Sequence, residues 1–416
     1  EGKNAITLKN VLVGEVWICS GQSNMEFPLE KSFESKGDID ASANPVIRLF
    51  KVARLKANAP TNDVKGAWQE CNPGTVGGFT AVGYYFGRDL QKARNVPVGL
   101  IDSDWGGSPA EAWMSQAALS CNPRYQKEIL DSYSVALEHY EESHAKFDKE
   151  AAMAKTAGKP ITKTSAPRPP WKPAELYNGM IAPLVPYAIK GAIWYQGEAN
   201  AGRAEQYRAL FPDMIRDWRQ DWNQGDFTFL AVQLAPFMAI KDEPSDSNWA
   251  ELREAQLNTT KILPKTGMAV ITDIGNPKNI HPTKKRPVGE RLALAARGIA
   301  YEEKIVYSGP IYRKMEVKEG KIILTFDHAG GGLEAHDGVL KGFAICGEDH
   351  KFVWADAIIE AKSANKIIVS SPSVAKPAAV RYGWADCPVV NLWNKEGLPA
   401  SPFRTDDFSL TTAGKK

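Results

Sequence analysis

The chain has five cysteines in 416 residues and no C-x-x-C pair. That excludes a dense disulfide framework and the usual cysteine zinc sites, and the odd count leaves a thiol unpaired under any pairing. Cys19, inside an apolar run, reads as a small buried hydrophobe. No stretch approaches the ~20 uninterrupted apolar residues of a membrane span. The basic and apolar pattern of a signal segment is missing, and "EGKNAITLKNVLVGEV" looks like strand sequence from inside a domain, as in a mature or trimmed chain. Charge of one sign is also missing. A formal net charge of +2 gives no strong pull toward nucleic acid or anionic membranes. Low-complexity tracts and internal repeats are absent. What remains is an ordinary globular composition, 43% hydrophobic and 24% charged, on a chain long enough for roughly two to four domains. The 12 tryptophans stand out. An aromatic face suits the apolar face of a pyranose, but tryptophans also fill cores.

From residue 11 to about 300, short apolar runs alternate with helical patterns. "VLVGEVWIC", "VGLIDSD" (98–104), "FTFLAVQLA" (227–235) and "GMAVITDIG" (267–275) read as strands. Phe79, Val82, Phe86 and Leu90 recur at helical spacing, as do Tyr207, Leu210, Ile215, Trp218 and Trp222, and "VGERLALAARGIA" (288–300) is a third helix. Such alternation predicts a parallel sheet covered on both faces, with its chemistry in loops at the carboxyl ends of the strands. Two segments break the rhythm. Residues 121 to about 176 carry a charged helical run and then "APRPPWKPAE", read as an inserted helical hairpin with a stiff return. From about 303 the pattern alternates apolar and polar residues between Gly and Asn turns, which predicts an antiparallel β-sandwich-like domain.

Four polar blocks lie at successive strand ends. Gly21-Gln22-Ser23-Asn24 follows the first strand. A serine there would be exposed at the sheet edge, where a nucleophile needs a base and oxyanion donors. A Ser/Asn-rich helix cap is the bland alternative, and Met25 stands where the G-x-S-x-G elbow requires its last glycine. In "IDSDWGGSPAEAW" (101–113), Ser108-Pro109-Ala110-Glu111 has the form of a capping box and predicts a helix start. Beside Ser23, the Gly107 amide would be a natural oxyanion donor. "GAIWYQGEAN" (191–200) ends a strand in Gln196-Gly197-Glu198; the Gln196 amide could complete the oxyanion hole, or the two side chains could be a satisfied polar pair. In "TDIGNPKNIHPTKKRPVGERL" (272–292), His281 alone of six histidines lies between a predicted α/β strand and its helix, placed to act as base to Ser23.

The order GQSN, WGGS-x-x-E-x-W, WYQGE-x-N and IHP resembles the SGNH (GDSL-like) hydrolases, and more narrowly the sialate O-acetylesterases and the related acetyl-xylan esterases. "VRYGWADCPVVNLWNKEGLPASPFRTD" (380–406) resembles the sialate esterase branch too, so the likeness runs nearly the whole length. It implies a three-layer α/β/α, flavodoxin-like fold over 13–302, with the insertion at 121–176. A β-rich domain at 303–416 would follow. Residues 1–12 would be a remnant of an N-terminal β domain, free to pair with the C-terminal one. It implies Ser23 as nucleophile, His281 as general base, and an oxyanion hole of the Ser23 amide, the Gly107 amide and the Gln196 side chain, with Asn24 and Glu198 as supporting polar groups behind them. It implies deacetylation of sugar hydroxyls through an acetyl-serine, without metal or cofactor, outside the cytoplasm. The superfamily places an Asp three residues before the His; here Lys278 stands there. Asp273 is the first candidate to orient the imidazole, Glu198 the second, and a Ser-His dyad the third. Arg381, Arg203 and Lys284 are candidate cations for a sialate carboxylate. Acetyl-xylan or another plant glycan is an alternative substrate, and a non-catalytic carbohydrate-binding protein the alternative class.

Overall fold

The structure, a computed structural model, describes residues 4–157 and 165–415. The apolar runs of the first 300 residues become one seven-stranded sheet. Its strands are β1 (Glu15–Gly21), β2 (Asn44–Lys51), β3 (Trp68–Cys71), β4 (Val98–Asp104), β5 (Gly191–Tyr195), β6 (Thr228–Val232) and β7 (Thr266–Ala269). The order is β3-β2-β4-β1-β5-β6-β7. Every neighbouring pair is parallel except β2 with β3, so the expected parallel sheet is mixed at one edge.

Successive residues of β1 face opposite ways. Trp17 and Cys19 join one buried layer with Phe86, Leu90, Val288 and Leu292, from the helices Ala81–Arg94 and Arg286–Ala300. Ile18 joins the other with Trp194, Leu210, Trp218 and Leu252, under the helices Ala204–Trp222 and Asn248–Ile262. The three-layer α/β/α arrangement is therefore as expected. Four of the 12 tryptophans are fully buried inside it, Trp17, Trp113, Trp194 and Trp218, with Trp194 edge-on to both Trp113 and Trp218 at 6.1 and 5.9 Å between centroids.

Residues from 311 onward form two four-stranded antiparallel sheets and a two-stranded ribbon. Ile322, Leu324, Ile345, Val369, Val380 and Phe403 fill the layer they share. The fully buried Arg253, on the helix Asn248–Ile262, ties this region to the first. It donates to the carbonyls of Leu234 and Ala235 on one side and of Ala385 and Asp386 on the other, at 2.6–3.2 Å.

Three local expectations differ. The charged insertion forms one long helix, Asp131–Thr156; the described return, 165–173, is not helical, so no second helix of a hairpin is seen there, and residues 158–164 lie outside the described residues. The Ser108 capping box does not cap. Only a single 3₁₀ turn, Ala110–Trp113, follows it, because Ser108 Oγ instead donates to the Trp105 carbonyl and accepts from the Trp113 indole. Residues 4–14 form no strand, and the side chain of Asn10 bonds Glu70 and Arg48 at the β2–β3 edge, away from the C-terminal region. All five cysteines are free, with Cys19 buried and Cys121 exposed. No helix of the described residues is long and apolar enough to cross a membrane.

Candidate active site

The register of the central strands levels the carboxyl edge. Gly21 stands opposite both Asp104 of β4 and Tyr195 of β5, so the chain leaves all three strands at one height. Gly21 has φ +139°, and a Cβ there would lie 2.2 Å from the Tyr195 carbonyl oxygen, so only glycine lets the chain turn this close to its neighbour. The turn opens the short helix Ser23–Glu26, with Ser23 half-buried at its first position.

Each residue of the first block has a separate task. Gln22 is buried; its Oε1 accepts from the amides of Gly197 and Ala199 at 3.3 and 3.2 Å, joining the first turn to the one after β5. Asn24, fully buried, donates to Glu198 Oε1 at 2.6 Å and to the Ile280 carbonyl at 3.0 Å. Glu26 accepts from the Gly106 amide at 2.7 Å, holding the loop after β4 against the serine helix. These contacts draw four loops, distant in sequence, around one hydroxyl.

Ser23 Oγ lies 2.8 Å from His281 Nε2. His281 follows an Asx turn in which its amide donates to Asn279 Oδ1 at 2.9 Å. Burial lowers its proton affinity below the ordinary histidine value, the Lys285 ammonium adds in the same direction, and Glu26 opposes. A neutral imidazole at this distance can accept the serine proton. Gly107 has φ +78°, a left-handed conformation that favours glycine, and its amide has no hydrogen-bond acceptor among the described residues. The Ser23 amide, at the first position of its helix, is free in the same sense.

Three candidates are placed elsewhere. Asp273, expected to orient the imidazole, is exposed and gives both oxygens to Arg291 at 2.6 and 2.8 Å. The helix Arg286–Ala300 packs so that Arg291, in its second turn, reaches both this carboxylate and the Val270 carbonyl. Glu198, the second candidate, is turned to Asn24. Among the described residues no carboxylate is hydrogen-bonded to His281. Gln196 is fully buried with both N–H groups taken, by Asn200 Oδ1 at 2.6 Å and the Ser108 carbonyl at 3.3 Å, while its oxygen accepts from Tyr207. Its amide thus faces into the fold and is not free for an oxyanion.

The candidate cations separate as well. Arg381 is held by Asp406 at 2.8 and 3.0 Å and Arg203 by Glu111 at 2.7 Å; Lys284 is exposed beside Phe33. The sequence reading missed Arg54, which pairs with Glu26 at 2.6 Å and lies over Trp105, 5.3 Å from the ring centroid. Trp105 in turn meets Trp171 edge-on at 5.6 Å. The position of Trp105, one residue before Gly106 in the loop after β4, was the available signal. Lys285, hidden in a "KKR" run, left no such signal.

The chain is similar to known proteins over most of its length. A family model described as "Carbohydrate esterase, sialic acid-specific acetylesterase" matches residues 157–297, the stretch that carries Gln196, Glu198, His281 and Lys285. The sialate O-acetylesterase of Rattus norvegicus is 31% identical over 440 aligned positions, spanning 96% of this chain and 78% of that protein. The human sialate O-acetylesterase is 29% identical, spanning 96% and 76%. A solved carbohydrate acetylesterase from Xanthomonas citri is 41% identical, with a TM-score of 0.80 over 95% of this chain and 81% of that one. The chain is thus a carbohydrate esterase. Within that class, the chain belongs to the sialate O-acetylesterase family.

Proposed function

We propose that the protein removes O-acetyl groups from sugars, 9-O-acetyl sialic acid foremost, with Ser23 as nucleophile and His281 as general base. The observation that carries the mechanism is the 2.8 Å contact between Ser23 Oγ and His281 Nε2 at the carboxyl edge of the central strand. In this reading His281 takes the hydroxyl proton as Ser23 attacks the acetyl carbonyl carbon. The amides of Ser23 and Gly107 stabilise the oxyanion of the tetrahedral intermediate. Collapse breaks the ester C–O bond, and His281 passes its proton to the departing sugar oxygen. Water, deprotonated by His281, then attacks the acetyl-serine and releases acetate. The pair works as a dyad, and the hole is built from two backbone amides without Gln196.

Support for a sugar substrate comes from the relatives' names and from Trp105, whose half-exposed ring flanks the serine loop with Arg54 over it. A stacked ring and a cation together suit an acidic sugar. We read residues 13–302 as the catalytic unit and 303–416 as a supporting β domain, and a location outside the cytoplasm follows from glycan substrates. The test is acetate release from 9-O-acetyl sialic acid and from acetyl-xylan oligomers, by the wild type and by Ser23→Ala. The wild type is expected to favour the sialic acid and the variant to fall to background. Normal turnover by Ser23→Ala would overturn the mechanism, and preference for the xylan would overturn the substrate.

A further inference from the structure

The run His281-Pro282-Thr283-Lys284-Lys285-Arg286 looks like surface charge, yet one of its cations is inside the protein. Lys285 is fully buried, whereas Lys284 and Arg286 are exposed, Arg286 pairing with Asp38. The Lys285 ammonium donates to Asn24 Oδ1 at 2.5 Å, its one hydrogen-bond acceptor among the described residues. It also lies over the rings of Phe27 and Tyr195, 4.9 and 5.1 Å from their centroids. Asn24 passes the interaction on. With its oxygen on the cation, its Nδ2 donates to Glu198 Oε1 at 2.6 Å and to the Ile280 carbonyl at 3.0 Å. The second Glu198 oxygen is buried without a partner. Short contacts at both ends of the amide are what a cation and an anion bridged by one dipole produce.

The position of this bridge gives it a function. Asn24 directly follows Ser23, and Ile280 directly precedes His281. A single buried amide therefore ties together the neighbours of both reacting side chains, and Lys285 fixes which way that amide faces.

We propose that Lys285 is a positioning residue for the Ser23–His281 pair: its ammonium orients Asn24 as a brace between the two loops, and its positive charge opposes protonation of His281. The proposal rests on the mechanism above. The charged and titratable groups facing this centre are Glu198 and Tyr195 at the end of β5, and Glu26 on the serine helix, which is itself paired with Arg54. Burial lowers Lys285 to about 7, against the pull of Glu198, so the ammonium is charged through the acid range in which His281 titrates. Removing a nearby cation stabilises the imidazolium, raises the histidine pKa and moves the acid limb of activity to higher pH.

The measurement is the pH dependence of kcat/KM on an aryl acetate for the wild type, Lys285→Met and the double variant Lys285→Met, Glu198→Gln. The double variant removes both buried charges at nearly constant volume, so it stands in where the single one, left with a lone buried carboxylate, fails to fold. The acid limb is expected to move up by about one unit in Lys285→Met and by less in the double variant, which also loses a carboxylate that favours the imidazolium, with the plateau lowered by about tenfold in both through loss of the brace. An acid limb that stays at the wild-type position in a folded variant overturns the proposal, since lost packing alone changes the plateau and not the limb. Ser23→Ala and His281→Ala, measured alongside, separate the two failures. If both are inactive while the limb is unmoved, only the role of Lys285 falls; activity in Ser23→Ala removes the mechanism itself.

Discussion

The two oxygens of Asp273 are both spent on Arg291. Asp273→Asn should therefore leave kcat/KM on an aryl acetate within about threefold of wild type, and loss of this partly buried pair should cost about 1–2 kcal/mol of stability. A large fall in kcat with normal thermal unfolding would mean that Asp273 reaches His281 during turnover. At this scale the sequence was informative about which residues lie beyond the strand ends and poor on what each one touches. Ser23, Gly107 and His281 could be named because a strand end restricts where a loop residue can go. The partner of Asp273 could not, because it depends on where a helix thirteen or more residues along the chain comes to rest.

Gln196 shows the same limit for an element. Its place at the end of β5 was legible from "GAIWYQGEAN", but the direction of its amide was set by Tyr207 and Asn200, from segments that pack beneath the sheet edge. In Gln196→Ala the Tyr207 hydroxyl and the Ser108 carbonyl lose their partners in a fully buried site. The expected outcome is destabilisation of about 2–4 kcal/mol, read as a lower unfolding midpoint, together with lost activity. An oxyanion donor would give the other pattern, a fall of ~10²–10³ in kcat with the midpoint unchanged. The unused capping box at Ser108 has a similar origin. Local chemistry favours a helix there, but the Trp113 indole and the Trp105 carbonyl compete for the serine hydroxyl and win.

For the whole molecule, Arg253 is the clearest point of union between the sheet and the β-rich region. Four carbonyls, two from each, converge on one buried guanidinium that burial lowers to about 10 and that is charged at neutral pH. Arg253→Leu leaves those carbonyls without donors and should cost about 3–5 kcal/mol, lowering the unfolding temperature and shifting both regions together. Unfolding in two separate steps, with the sheet region unaffected, would show that the regions are independent. The loop from Leu234 also carries the backbone that Gln256 ties to Gln196, so this union reaches the active-site edge.

Hydrophobic periodicity by itself determined the alternating strands and helices and the change to β structure near residue 303, and turn chemistry put Ser23 and His281 beyond strand ends. Those features follow from local rules: side-chain period, turn chemistry and the exposure of loops. The antiparallel edge strand β3, the inward turn of Gln196, the pairing of Asp273 with Arg291 and the burial of Lys285 were decided by tertiary packing. Each depends on which polar groups remain unsatisfied when distant segments meet, and a buried hydrogen bond forms with whatever partner the fold brings within 3 Å. A lysine in a run of cations has no local mark of being the one inside.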